Sequence, residues 1–191
     1  MDTKKSCPWP ASNPLMIEYH DKEWGEPLHD DNKLFEFMVL DAFQAGLSWN
    51  TIINKRKNFE KAFDNFDPVK ISKYKDAKIR KLLNDAGIIR NKMKINATVN
   101  NAKIFLKIQK EFGTFDKYIW QFTGGKTIHN KWETTKHVPA YSKESDAMSK
   151  DLKARGFSFV GTTICYAFMQ AAGMVNDHMT NCFRYKELKR K

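Results

Sequence analysis

Cysteine, proline and glycine are all scarce in this chain, which holds three, six and nine of them among 191 residues. Three cysteines, at positions 7, 165 and 182, build no disulfide framework; in a reducing compartment they read as free thiols or metal ligands. So little glycine and proline excludes a collagen-like or linker-dominated chain, and 41% hydrophobic residues exclude a disordered one. A long apolar run is missing too. The most apolar stretch, 157–175, is interrupted by Ser158, Thr162, Thr163 and Gln170 and falls short of the ~20 apolar residues of a membrane span. A signal peptide is not expected either, because Lys4 and Lys5 lead into Cys7-Pro8-Trp9-Pro10 where secretion needs a continuous apolar segment. A cytoplasmic location away from membranes is expected. Negative charge is in deficit: 22 acidic residues face 33 lysines and arginines, a net +11 that draws polyanions to the surface. A phosphate-rich partner is favoured, with a merely soluble basic surface as the plain alternative.

What is present reads as helix almost throughout, in a single domain over 1–191. Leu34, Phe35, Met38, Ala42 and Phe43 fall at helical spacing over 31–45, with Asp30 or Asp31 to cap. A second helix is predicted over 51–63, ending before an Asp67-Pro68 turn. A third begins near Lys75, stops at Asp85-Ala86-Gly87, and gives way to a long amphipathic helix over 91–112, so that a helical hairpin occupies about 75–112. A short aromatic helix follows over 115–122 and then a polar loop over 124–141. Ser142 or Ser145 caps a helix that stops at Gly156, and a last buried helix covers 161–172. The N-terminal segment, 1–30, looks irregular. No period-two strand is evident, and the class is all-α.

Three constellations carry chemistry. The hairpin turn at Gly87 opens directly into a helix whose amides, with Arg90, Lys92 and Lys94 beside them, suit a phosphate; a plain αα-turn with a solvated basic helix has the same spacing. His178 and Cys182, four apart and on one face if helical, match Cys7 and His20 near the other end in ligand type. A Cys2His2 set suits one tetrahedral zinc, which with four protein ligands would be structural, stapling segments 1–30 and 174–191; buried Cys and His are equally at home in a core. Finally, Trp9, Tyr19 and Trp49 offer flat rings, and Asp41 lies one turn before Gln44-Ala45-Gly46-Leu47-Ser48. Rings and an acceptor suit a nucleobase taken out of a duplex, and composition does not separate that reading from core packing.

Longer strings narrow the choice. Tyr19-His20-Asp21, Glu23-Trp24-Gly25, Gln44 through Trp49, Asp85 through Arg90, Phe159 through Tyr166 and Asn176-Asp177-His178 together resemble the 3-methyladenine DNA glycosylase I family, of the helix-hairpin-helix glycosylase superfamily. The resemblance spans nearly the whole chain. It implies a monomeric monofunctional N-glycosyl hydrolase that flips 3-methyladenine out of alkylated double-stranded DNA. It places the zinc on Cys7, His20, His178 and Cys182, and the base pocket and its catalytic groups on Tyr19, Asp41 and Trp49, with Trp9 close by. DNA contacts fall on Gly46 and Leu47, which fill the gap left by the base, and on Gly87 and Arg90. Asp41 stands where the family commonly has glutamate, Met16 where a pocket aromatic is frequent, and Phe43 where many relatives are polar. The rival reading is a zinc-stabilised damaged-DNA-binding module with weak or altered cutting.

Overall fold

The computed structural model describes residues 5–190, so that Lys4 and the last residue of the Lys-rich tail, Lys191, lie outside the described residues. The first helix, α1 (Pro14–Lys22), falls inside the segment expected to be irregular. Its start is encoded locally: Asn13 Oδ1 accepts from Leu15 N at 2.9 Å and Pro14 sits where a missing N–H is harmless. Helix α2 (Asp31–Gln44) begins at Asp30, which caps Lys33 N, and from Leu34 to Phe43 every residue is buried. A helix apolar on all sides must be central, and α2 packs against four other helices. Asp31 does not cap it. Its carboxylate accepts instead from Phe115 N, Asp116 N and Gln109 Nε2, joining α2 to the helices that follow.

The predicted helix over 51–63 is two, α3 (Trp49–Ile53) and α4 (Arg56–Ala62), parted at Asn54-Lys55. A 3-10 turn with left-handed backbone at Asp64, Asn65 and Phe66 then leads to α5 (Pro68–Ile71). Here Asp67 caps Val69 N and Lys70 N, so the expected Asp-Pro turn starts a helix. The hairpin is present as α6 (Asp76–Asn84) and α7 (Lys92–Phe112), α7 lying along α5 and α2. The aromatic segment forms α8 (Phe115–Ile119) and a 3-10 turn. Helix α9 (Lys143–Ala154) starts with a reciprocal Ser142–Ser145 capping box and is followed by Gly156 at φ +94°. Helix α10 (Thr162–Ala171) packs on α9 and α2, and α11 (Phe183–Leu188) closes the chain.

Two short strands correct the strand-free expectation. β1 (Ile128–His129), from the polar loop, pairs in parallel with β2 (Val175–Asn176), with Ile128 opposite Val175. The core runs through Leu34, Phe35, Phe43, Phe59, Phe63, Phe105, Phe115 and Tyr118, all fully buried. Each such side chain contributes about 1.5–3 kcal/mol of burial. Met16 and Phe43 belong to this core; Phe43 packs edge-on against Phe59 and Phe63, at 4.7 and 5.8 Å between centroids.

Candidate active site and metal cluster

Four pieces of chain meet around a cavity of about 250 Å³, at the small end of ligand pockets. Helix α1 supplies Tyr19; α2 supplies Asp41 and Gln44; the turn after α2 delivers Trp49 as the first residue of α3; and Trp9 closes the N-terminal side. Ser48 caps α3 through Thr51 N, which fixes where Trp49 starts. Tyr19 and Trp49 lie 5.0 Å apart between centroids, and Trp9 meets Tyr19 edge-on at 6.3 Å. Met16, matched to a wall aromatic, is not among the lining residues. The far wall, from Thr135, Val138, Gln170 and Asp177, escaped the sequence reading.

Asp41 is 2% exposed, and neither of its oxygens accepts a hydrogen bond from a described residue. Burial alone pushes its pKa well above the carboxylate range. Four buried side-chain polar atoms among the described residues lack a partner, and three of them, Asp41 Oδ2, Trp9 Nε1 and Trp49 Nε1, belong to residues lining this pocket. Buried polar groups are normally satisfied, so three exceptions in one cavity mark a place built for a polar guest. The Tyr19 phenol is also raised, by burial first and then by the nearby Asp41 carboxyl. Asp177 is the opposite case. Its Oδ1 accepts from Asn130 Nδ2 and Trp132 Nε1, both at 2.7 Å, and its Oδ2 from Tyr166 Oη and Gln170 Nε2 at 2.7 and 2.8 Å. It thereby fastens the loop bearing Thr135 and Val138 to α10.

Cys7, His20, His178 and Cys182 are buried together, their ligand atoms all within 4.8 Å of one another. His20 Nε2 and His178 Nδ1 are 3.1 Å apart, and three sulfur–nitrogen separations are 3.6–3.7 Å. Metal bonds of about 2.0–2.3 Å put tetrahedral ligands about 3.3–3.8 Å apart, so the donor set fits one zinc-sized ion. The other ring nitrogens are engaged: His20 Nδ1 faces Asp21 Oδ1 at 2.6 Å and His178 Nε2 faces the Trp24 carbonyl at 2.9 Å, which orients each ring. Hydrogen bonds from the Cys7 thiol, His178 and His20 hold Cys182 far below the usual thiol range, and Cys7 is raised in return. His178 and Cys182 do not share a helix. His178 follows β2 and Cys182 is the N-cap of α11, so a turn and not helical spacing brings them together.

At the hairpin, Gly87 keeps an ordinary φ, so conformational freedom is not why glycine is there. A Cβ would stand 2.9 Å from Asp85 Oδ1 and 3.3 Å from Asn58, and Asp85 Oδ1 itself accepts from Gly87 N at 2.7 Å. Lys55, the N-cap of α4, and Asn58 within that helix donate to the Gly87 carbonyl. Arg90 is exposed, and Asn91 caps α7 through Lys94 N. Lys94 does not join Arg90 and Lys92 at the surface. It is 6% exposed and its ammonium donates to the carbonyls of Phe43 and Ala45, at 2.8 and 2.6 Å; burial lowers its pKa. The turn it reaches carries Gly46, at φ +76°, and Leu47, which is 42% exposed.

Fold and site define a mostly helical protein with an aromatic pocket lined by a buried carboxyl. A sequence profile of methyladenine glycosylases matches residues 9–185, and the chain belongs to that family. It is 45% identical over 179 residues to DNA-3-methyladenine glycosylase 1 of Escherichia coli K12, covering 94% of this chain and 96% of that protein. It is equally identical over 176 residues to the DNA-3-methyladenine glycosylase of Haemophilus influenzae, covering 92% and 95%. The solved structure of 3-methyladenine DNA glycosylase I from Staphylococcus aureus, described for its recognition of 3-methyladenine, superposes with a TM-score of 0.90 at 34% identity, over 93% of this chain and 95% of that one.

Proposed function

We propose that this chain is a DNA-3-methyladenine glycosylase, which flips the alkylated base out of duplex DNA and hydrolyses its N-glycosidic bond. The observation that carries the site assignment is the buried Asp41 carboxyl, whose Oδ2 has no partner and which lines the same cavity as Tyr19 and Trp49. Methylation at N3 leaves the base cationic while it is attached to the sugar. When the bond breaks, its electron pair returns to the base, which leaves neutral, and water adds to the sugar carbon with loss of a proton. No strong acid is required, so what the protein contributes is extrusion, stacking and charge complementarity. Tyr19 and Trp49 stack on the ring with Trp9 at its edge, and Asp41 accepts from the exocyclic amine while its charge opposes that of the cation. Normal adenine, neutral and a poor leaving group, gains neither the charge pairing nor the easy departure.

The rest of the site follows this reading. Leu47, presented by Gly46, fills the gap in the duplex, while the amides after Gly87, with Arg90, hold the backbone. One structural zinc sits on Cys7, His20, His178 and Cys182, supported by the ligand spacing and the two oriented imidazoles. Its contribution is mechanical: it ties the segment before α1, and so Trp9 and Tyr19, to the segment carrying Asp177. Incubation with methylated duplex DNA and chromatography of the released bases tests the activity. Free 3-methyladenine appearing with wild type is the expected result, and tight binding of that DNA without base release would establish a damage-binding module in its place.

A further inference from the structure

Lys94 is a buried cation that the reaction does not use. No carboxylate lies within salt-bridge distance of it among the described residues, although an ammonium withdrawn from water normally needs a counter-charge. Its donors go to the carbonyls of Phe43 and Ala45, at the C-terminal end of α2, where a positive charge also suits the helix dipole. The residue between them, Gln44, has its carbonyl taken by Leu47 N at 2.6 Å. The peptide groups that launch the Gly46-Leu47 turn are therefore held by one side chain and one backbone bond.

Apart from these bonds and the Ser48 cap of α3 at its far end, no hydrogen bond holds that turn among the described residues. A Cβ on Gly46 would meet no atom within 4 Å, and Leu47 is exposed, so the turn stands free of the packed core. Lys94 itself is anchored firmly: it lies in the first turn of α7, its amide is capped by Asn91, and Thr98 Oγ1 donates to its carbonyl. That same first turn adjoins Arg90 and the hairpin, three residues and one cap away. A chemical link thus runs from the hairpin helix to the base of the turn, through an ammonium too buried to touch DNA.

Resting on the reading of Leu47 as the residue that fills the duplex gap, we propose that Lys94 is a positioning residue which fixes the Gly46-Leu47 turn to the hairpin helix, so that gripping the backbone and inserting Leu47 occur as one rigid action. The pocket is built from other contacts, so Lys94 acts on extrusion and not on affinity for the free base. Misplacing an inserted group by about an ångström costs on the order of a hundredfold in rate.

The test uses the full chain as Lys94→Met, Lys94→Gln, Leu47→Ala and the Lys94→Met/Leu47→Ala double variant. Two quantities are read: base release from methylated duplex DNA, and affinity for free 3-methyladenine from quenching of tryptophan fluorescence. Both Lys94 variants are expected to lose about tenfold to a hundredfold in excision while free-base affinity stays within about twofold, a split that general destabilisation does not produce. In the Leu47→Ala background, Lys94→Met should add less than about twofold, because it acts through a side chain already removed. Multiplying losses in the double variant, or equal losses of excision and free-base affinity in both Lys94 variants, would overturn the proposal. If Leu47→Ala alone leaves excision unchanged, the gap-filling reading falls first and the Lys94 proposal with it.

Discussion

Asp41 occupies a position that is unfavourable for folding and useful for binding. Its carboxyl has a native pKa raised by burial, whereas in the unfolded chain it titrates near the ordinary aspartate value of about 3.8. The folded state is thus fully stable, as far as this group is concerned, below 3.8, and loses stability as pH rises from there toward the native pKa. Asp41→Asn should therefore melt higher than wild type at neutral pH, by about 2–4 °C for each kcal/mol recovered, with the difference vanishing below pH 3.8. The same variant should lose excision, since an amide presents a donor where the amine of the base needs an acceptor. Calorimetry across pH, paired with base release, checks both halves; a variant that melts lower at neutral pH and excises normally would remove Asp41 from the site. Of these residues, Tyr19 and Trp49 were singled out from distinctive strings and Asp41 from its place one turn before one of them. Asp177 also stands in such a string, yet its role was not legible: its four donors come from positions 130, 132, 166 and 170, and only the folded chain assembles them.

Among the elements, α2, α7 and α9 were readable because long amphipathic or apolar spacing and a side-chain cap agree at each of them, and α10, which starts at Gly161 without a side-chain cap, because of its apolar run alone. Helix α1 was missed because Pro8 and Pro10 precede it, Pro14 opens it, and only Met16, Tyr19 and His20 of its residues are buried. The break between α3 and α4 was hidden by apolar spacing that continues across it. For the hairpin, the exposed Arg90 beside the capped start of α7 sets the expectation. Arg90→Glu should weaken binding to duplexes of any sequence alike and reduce the salt slope by about one charge contact. Titrations of two unrelated duplexes at several salt concentrations measure this, and a loss confined to one sequence would mean that the hairpin reads bases.

At the scale of the whole molecule, the cluster of two cysteines and two histidines joins positions 7 and 182, and 158 residues separate its two histidines, so the proposed ion would remove much of the unfolded chain's freedom. His178→Ala is expected to lose about one equivalent of zinc and several kcal/mol of stability, whereas His129→Ala, altering an exposed residue of β1, should change little. Metal analysis and denaturant melts of both variants decide it, and equal, small effects would discard the staple. Helix α2 imposes a different constraint. The segment that carries Asp41, the proposed partner of the base, is also the segment around which the core is assembled, with every residue from Leu34 to Phe43 buried. Heritable variation there is filtered by folding before substrate choice can be selected, so this half of the pocket is poorly evolvable. New base preferences have to enter through the opposite wall, where Thr135 and Val138 are only partly enclosed or exposed and lie outside regular helix packing. A randomised library selected only for soluble expression should accept many residues at 135 and 138 and few at 37, 38 and 40, and variants with altered purine range should be recovered from the first group.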